Sequence, residues 1–305
     1  MLFRSVNILE TYKKSNLKKL YKEIKSLPIH DYDLVLNDFE PVSAWACKLN
    51  KKICIGLSHQ AAVINKKSPK PNKKDIVGKT ILKNYALTTA ALGFHFENYD
   101  HNIFTPIIRN QIRYGKVETL EHYTVYLPAY SDNKIIKILS QIPNIKWQVF
   151  SKHTKTNYLI GNITIRVIDN DAFIESMLSC EGILCGAGFE TPAEALFLNK
   201  KLMVIPMKGQ YEQQCNAAAL EKLGVPVIKS LKQKHLNKII SFTENSQNIF
   251  VNYPDNTESV LNKVMEVYKI LEKKTLLEKP KVKQNNNIIM EQKAYKEIAA
   301  EVLEK

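Results

Sequence analysis

The residues best equipped for chemistry lie in Gly182–Ala217, which reads GILCGAGFETPAEALFLNKKLMVIPMKGQYEQQCNA. Gly186 and Gly188 follow a short apolar run, Ile183–Cys185. Glycine at these positions permits positive φ and close backbone approach to a phosphate. A helix is expected to open at Thr191-Pro192, with proline suited to the first turn. Its free N–H groups can hold a diphosphate, and the Thr191 hydroxyl can add a donor. Glu194 stands one turn further on. A carboxylate there repels phosphate, so it suits a neutral diol such as a ribose; the plainer alternative is that Glu190 and Glu194 complement the helix dipole. A second apolar run, Leu202–Pro206, ends at Lys208-Gly209, and a second polar helix start carries Glu212, Gln213, Gln214 and Asn216. The amides of Gln213 and Gln214 offer donors and acceptors to sugar hydroxyls. Strand, glycine turn, helix, strand, helix puts two helix starts at one carboxyl edge of a parallel sheet, where anions and nucleotides bind.

Two further sites follow apolar runs in the first third of the chain. Asp38 and Glu40 follow DLVL in the sequence NDFEP, and His59 and Gln60 follow KICIGL in SHQ. The carboxyl ends of strands are where working residues gather in α/β sheets. A direct displacement by a hydroxyl needs a base to take the proton of the attacking oxygen. His59 has a suitable ordinary pKa, and Asp38 can orient it or act itself. The bland alternatives are that Asp38 and Glu40 cap the helix opening at Pro41, and that His59 is a satisfied loop histidine. His95, in GFHFENYD, is a weaker candidate.

These residues require strand–helix alternation to position them. The pattern predicts a helix over 7–26, strands at Asp33–Leu36, Lys52–Leu57 and Leu92–Phe96, and helices from Pro41 and over Ile76–Leu87. A lysine-rich loop is expected at Lys66–Lys74. Phe104–Glu118, with Pro106 and little periodicity, reads as a hinge. Beyond it strands are predicted at Tyr123–Leu127, Trp147–Phe150, Ile163–Val167, Ile183–Cys185, Leu202–Ile205 and Val225–Ile228. Helices near 132–141, 171–179, 191–199, 211–222 and 233–243 alternate with them, and helix resumes over 257–273. Residues 290–304 have the pattern of one more amphipathic helix. Such alternation implies parallel sheets covered on both faces. The expected fold is α/β with two Rossmann-like doubly wound domains, at 1–112 and 113–275, and a charged tail at 276–305.

Composition bounds the function. The chain has 305 residues, 45% hydrophobic, enough for two domains. With 44 Lys+Arg against 30 Asp+Glu the formal charge is +14, which favours anionic membranes, nucleic acid or phosphorylated substrates without choosing among them. Lysines cluster at 66–74 and 273–283. Aromatic residues do not interleave with a basic patch, so no specific nucleic-acid reader is expected. Five cysteines, Cys47, Cys54, Cys180, Cys185 and Cys215, form no C-x-x-C pair and support neither a zinc site nor a disulfide framework. A reducing cytoplasm fits this usage best. No apolar run approaches the ~20 residues that span a bilayer, so membrane contact is expected to be peripheral.

The stretch Gly182–Ala217 resembles the donor-nucleotide motif of GT-B glycosyltransferases, and in particular the MurG-like group. In these proteins a G-x-x-T-x-x-E element precedes a strand and Q-Q-x-x-N-A follows it. Here the elements read Gly188-Phe-Glu-Thr191-Pro-Ala-Glu194 and Gln213-Gln214-Cys-Asn216-Ala217, the second one residue short between Gln214 and Asn216. The resemblance implies a nucleotide-sugar donor, UDP-linked, bound by Gly186, Gly188, Thr191, Glu194, Gln213, Gln214 and Asn216. It implies transfer with inversion, without metal or cofactor, to an acceptor that is lipid-linked or soluble. The chain carries no D-x-D motif placed to hold a metal. The family's first domain opens with a strand and a G-x-G-H loop. No such loop precedes Asp38, so the first domain is expected to be incomplete. The rival readings are a UDP-sugar epimerase of the same fold and a noncatalytic nucleotide-sugar-binding remnant.

Overall fold

The computed structural model describes residues 17–72 and 75–278. The first half begins with α1 (Leu17–Ser26), then β1 (Val35–Asn37), α2 (Pro41–Leu49), β2 (Cys54–Ser58), α3 (His59–Ile64), α4 (Ile76–Tyr85), β3 (Ala90–Phe94) and β4 (Ile103–Phe104). Its sheet runs β1-β2-β3-β4 and every pairing is parallel. After the short α5 (Asn110–Arg113), the second half comprises β5 (His122–Tyr126), α6 (Asp132–Leu139), β6 (Lys146–Ser151), β7 (Tyr158–Ile160), β8 (Ile163–Val167), α7 (Asn170–Ser179), β9 (Gly182–Gly186), α8 (Glu190–Phe197), β10 (Lys201–Ile205), α9 (Tyr211–Lys222) and α10 (Leu236–Asn245). Its sheet runs β10-β9-β5-β6-β8-β7, parallel except for β7 on β8.

That strand order has a functional consequence. The chain builds outward from β5 through β6 and β8, then returns to the other side of β5 for β9 and β10. The reversal between β5 and β9 leaves a crevice at their carboxyl ends, the usual ligand position in an open parallel sheet. Alternation along β9 buries both of its faces, with Ile183 and Cys185 in one core and Leu184 in the other. The linker residues Ile108 and Ile112 belong to the core that holds Ile183, so the segment joining the sheets packs with the second half. Both sheets lie in one compact unit that runs to Glu258; Ser259–Lys305 is a second unit. Helix α11 (Thr257–Glu278) enters that second unit, where Lys263 pairs with Glu266 at 3.0 Å.

Several expected elements differ from those observed. The strand expected at Asp33–Leu36 is β1, two residues further on, and Leu92–Phe96 is β3, two residues earlier. His59 opens a helix directly from β2, because the Ser58 hydroxyl accepts from the Ala61 N–H (3.3 Å) and caps it. The strand expected at Val225–Ile228 reduces to one parallel bridge, Val204 to Val227. Pro226 has no N–H to give the ladder, although its carbonyl accepts from Val204 (3.1 Å). The two-residue β4 and the antiparallel edge β7 are too short to leave a periodic signature. The helix expected over 7–26 is described only as α1, and the expected helix at 290–304 lies outside the described residues. All five cysteines are buried and free. Among the described residues no helix is long and apolar enough to cross a membrane.

Candidate functional site

The β5–β9 crevice opens onto a cleft of about 410 Å³ between the sheets. From the second half, Gly188, Phe189, Glu190, Thr191 and Glu212 line it. From the first half come Asp38, Ser58, His59 and Gln60. Chain positions 150 residues apart therefore face one volume.

The floor on the second side is backbone. Helix α8 starts at Glu190, one residue before the expected Thr191, with Phe189 as its cap and no side-chain hydrogen bond at the cap. Helix α9 starts at Tyr211 with Gln210 at the cap, again without a side-chain hydrogen bond. First-turn N–H groups and the positive dipole end are thus free of side-chain partners at both starts. Gly188 lines the cleft beside the first, and a Cβ placed there would meet no atom within 4 Å. The expectation of positive φ at Gly186 and Gly188 is corrected: the positive-φ glycines are Gly161, Gly209 and Gly224. Glycine at 188 instead borders open space at the cleft wall, and Gly209, at φ 78°, relaxes the turn before α9.

The other donor-motif side chains divide between lining the cleft and bracing it. Thr191 lines it. Gln213 accepts from the Met207 N–H through its Oε1 (2.9 Å), which fixes the turn after β10. Asn216 is fully buried; its Nδ2 donates to the Ala187 carbonyl (3.1 Å), and its Oδ1 faces His59. Gln214 is half-buried and is not among the lining residues. Glu194 is 3% exposed, and both of its oxygens are taken by Arg109: Nε donates to Oε1 (2.6 Å) and Nη2 to Oε2 (2.8 Å).

On the first side, Asp38 and Glu40 part company. The Glu40 carboxylate caps α2, accepting from the N–H groups of Val42 (2.6 Å) and Ser43 (2.7 Å) and from the Ser43 hydroxyl (2.7 Å). These bonds hold its pKa below the ordinary value against the opposing effect of burial, and it does not line the cleft. The capping alternative describes Glu40 and not Asp38, which does line the cleft. Between them Phe39 sits at φ 53°, a conformation a bulky residue rarely adopts. Such strain costs of order 1–3 kcal/mol and persists only where neighbours over-determine it. Here buried Asn37 does so, donating to the Glu40 carbonyl (2.7 Å) and the Ser43 hydroxyl (2.9 Å) while accepting from the Glu40 N–H (3.2 Å).

His59 is buried at the junction of the halves. Its Nδ1 lies 2.7 Å from the Phe94 carbonyl and its Nε2 lies 2.8 Å from Asn216 Oδ1. Its ring stacks on Phe189 at 3.9 Å and 6°. Burial lowers its pKa; the Phe94 carbonyl, Glu212, Asn216 and Asp38 pull the other way. Both ring nitrogens lie within hydrogen-bond distance of protein oxygens, so neither is directed at an incoming hydroxyl. Beside it Gln60 Nε2 donates to Glu212 (3.3 Å), a second tie across the cleft. His95 is fully buried, its Nδ1 accepts from the Phe96 N–H (2.9 Å), and burial pushes its pKa down to about 2.

Three contributors escaped the sequence reading of the site: Arg109, Phe189 and Glu212. Glu212 stands next to Gln213 in a polar helix start already singled out, and the helix observed from Tyr211 is the one expected, but no role was read for Glu212 itself. Nothing in the linker marks Arg109, whose partner is 85 residues away.

Two parallel-stranded sheets facing one cleft, with a nucleotide-type crevice on the second, make up the GT-B arrangement. The chain belongs to glycosyl transferase family 1, whose family model matches residues 2–246. It is therefore a glycosyltransferase by family, and the resemblance read from the two motifs is borne out in fold and family. The structure is similar to the glycotransferase of kitacinnamycin, at TM-score 0.53 and 11% identity over 89% of this chain and 83% of that one. It is also similar to UGT89C1 of Arabidopsis thaliana complexed with UDP-L-rhamnose, at TM-score 0.50 and 11% identity over 83% and 71%. MurG of Acinetobacter baumannii aligns at TM-score 0.47 and 14% identity over 75% and 70%. No curated protein matches the chain by sequence.

Proposed function

We propose that the protein moves a sugar from a UDP-linked donor, held by the half at 113–275, to an acceptor hydroxyl presented by the half at 1–112. The observation that carries this is the pair of helix starts without side-chain caps, α8 and α9, beside the open Gly188 at the β5–β9 crevice. Their N–H groups and the Thr191 hydroxyl hold the diphosphate and stabilise the charge it gains on leaving. Glu194 takes the ribose hydroxyls, and the amides near the start of α9 face the sugar. UDP as the nucleotide rests on the motif resemblance and is in keeping with the ligand named for the Arabidopsis neighbour.

The chemistry is a direct displacement with inversion. The acceptor oxygen bonds to C1 of the sugar, the bond from C1 to the diphosphate oxygen breaks, and the hydroxyl proton passes to a carboxylate. Asp38 is that base. It lines the cleft on a strained turn, whereas Glu40 is spent on a cap and His59 has both nitrogens engaged. His59 and Asn216 brace the two halves at the reacting centre. UDP titration by calorimetry tests the donor site through Gly188→Val. An added Cβ meets no protein atom, and a melting temperature matching that of wild type is the control that the two further methyl groups are accommodated. The variant should lose more than about tenfold in UDP affinity, because the branch fills the space of the phosphate. Unchanged affinity would refute the assignment.

The acceptor side is proposed to work at an anionic membrane surface. Helix α4 buries none of its residues. It exposes Ile76, Val77, Ile81 and Tyr85 together with Lys79 and Lys83. Its one flanking acid, Asp75, is spent capping the helix through the Gly78 N–H (2.8 Å). Apolar insertion beside lysines suits anionic headgroups. Within the lysine-rich loop, Lys67 pairs with Asp100 and Lys70 donates to the carbonyls of Asn65 and Ser68, which leaves α4 the better membrane face. Sedimentation with phosphatidylglycerol vesicles should show salt-sensitive binding that Ile76→Asp/Ile81→Asp abolishes. Equal binding to phosphatidylcholine vesicles, or none to either, counts against it.

A further inference from the structure

Glu194 and Arg109 are unequally placed. The Glu194 side chain is 4% exposed and that of Arg109 is 41% exposed, so an entering ligand meets the guanidinium first. Arg109 presents two parallel N–H donors to the two carboxylate oxygens at 2.6 and 2.8 Å. A vicinal diol presents the same pattern: two neighbouring O–H donors to the two oxygens of one carboxylate. Fork and diol therefore compete for the same side of Glu194.

We propose that Arg109 is a placeholder for the ribose, occupying the diol's position on Glu194 behind the cleft residues Glu190 and Thr191 and giving it up when the nucleotide binds. This rests on the assignment of Glu194 to the ribose made above. The placeholder keeps the buried carboxylate paired before the ribose takes over, because an unpaired buried charge is costly. A second anchor awaits the released guanidinium, for Nη1 already lies 3.2 Å from Asn170 Oδ1 at the start of α7. Arg109 also belongs to the segment 105–109 between the sheets, and Ile107 of that segment lines the cleft. Ribose binding thus removes the polar tie between the linker and α8, while the apolar packing of Ile108 and Ile112 in the same core stays in place.

The test compares UDP with 2′,3′-dideoxy-UDP in calorimetric titrations of wild type, Arg109→Met, Arg109→Lys and Glu194→Gln. Arg109→Met removes the competitor and should bind UDP about tenfold more tightly, the scale of a charge-assisted contact. Its affinity for the dideoxy nucleotide should stay at the wild-type level. Arg109→Lys, which keeps the charge and gives up the fork, should move the same way by less, and it carries the test if Arg109→Met does not fold. Weaker or unchanged UDP binding in both Arg109 variants overturns the proposal and makes Arg109 a fixed support of Glu194. If Glu194→Gln weakens UDP and the dideoxy nucleotide equally, the ribose assignment itself fails, and the placeholder falls with it. A purely structural ion pair would change melting temperature in these variants without altering the preference for the diol.

Discussion

The two sides of the cleft treat their helix starts in opposite ways. In the first half, α2, α3 and α4 are each closed by their own chain: Glu40 caps α2, Ser58 caps α3 and Asp75 caps α4. In the second half Asp169 caps α7, but α6 and α10 lack a side-chain cap, as do α8 and α9, the two starts at the cleft, which begin at Phe189 and Gln210. Leaving a helix start without a cap costs about 1 kcal/mol, and the second half accepts that cost at both starts beside Gly188. The difference separates two kinds of site. One half offers individual side chains on a finished scaffold. The other offers backbone N–H groups that a diphosphate can complete.

The sharpest way to break this comparison is at Asp38. If the first half works through single side chains, Asp38→Asn should lower kcat by roughly a hundred- to ten-thousandfold. UDP affinity, which belongs to the other half, should be unaffected. Steady-state turnover paired with calorimetry reads both. A variant with normal kcat places the base elsewhere, and His59→Ala then becomes the decisive comparison.

Acid stability should come next in size. His95 holds its proton only near pH 2 when folded, against about 6.5 when unfolded. Between those values the unfolded chain takes a proton that the folded chain refuses. The stability His95 contributes is therefore complete above about pH 6.5 and is lost as pH falls, by up to ~1.4 kcal/mol per unit. His59 and His122 shift in the same direction through burial. Melting temperature should drop from pH 7 to pH 5, and His95→Phe should flatten the profile. A melting temperature independent of pH over that range would show that the buried histidines take up protons in the fold as they do in the unfolded chain.

The smallest expected effect falls on Glu40. As a cap, its replacement in Glu40→Ala should cost about 1 kcal/mol of stability, measured by urea unfolding, with kcat kept. A loss of kcat at unchanged stability would move Glu40 from scaffold to chemistry and dissolve the distinction drawn between it and Asp38.

Much of the donor half was legible because its signals are local. The apolar runs ending at Cys185 and Pro206, the Gly186–Gly188 turn and the polar opening at Glu212 each report a strand end or a helix start within a few residues. The strand at Val225–Ile228 misled because hydrophobicity alone does not register the missing N–H of Pro226. In the first half the NDFEP turn was legible as a strand end, but its two acids were not separable. Capping geometry, and not residue type, commits Glu40 and releases Asp38.

By itself the sequence determined an α/β chain of alternating strands and helices, a glycine turn leading into a helix at Gly186–Thr191 and a strongly basic composition. These follow from period, spacing and charge, which are properties of neighbouring residues. Tertiary structure alone decided that His59 would meet Asn216, 157 residues away, and that Arg109 would close over Glu194. The order in which strands join the sheets fixes such pairs. That order is set by the summed burial of both sheet faces, a quantity spread over the whole chain and written in no single segment of it.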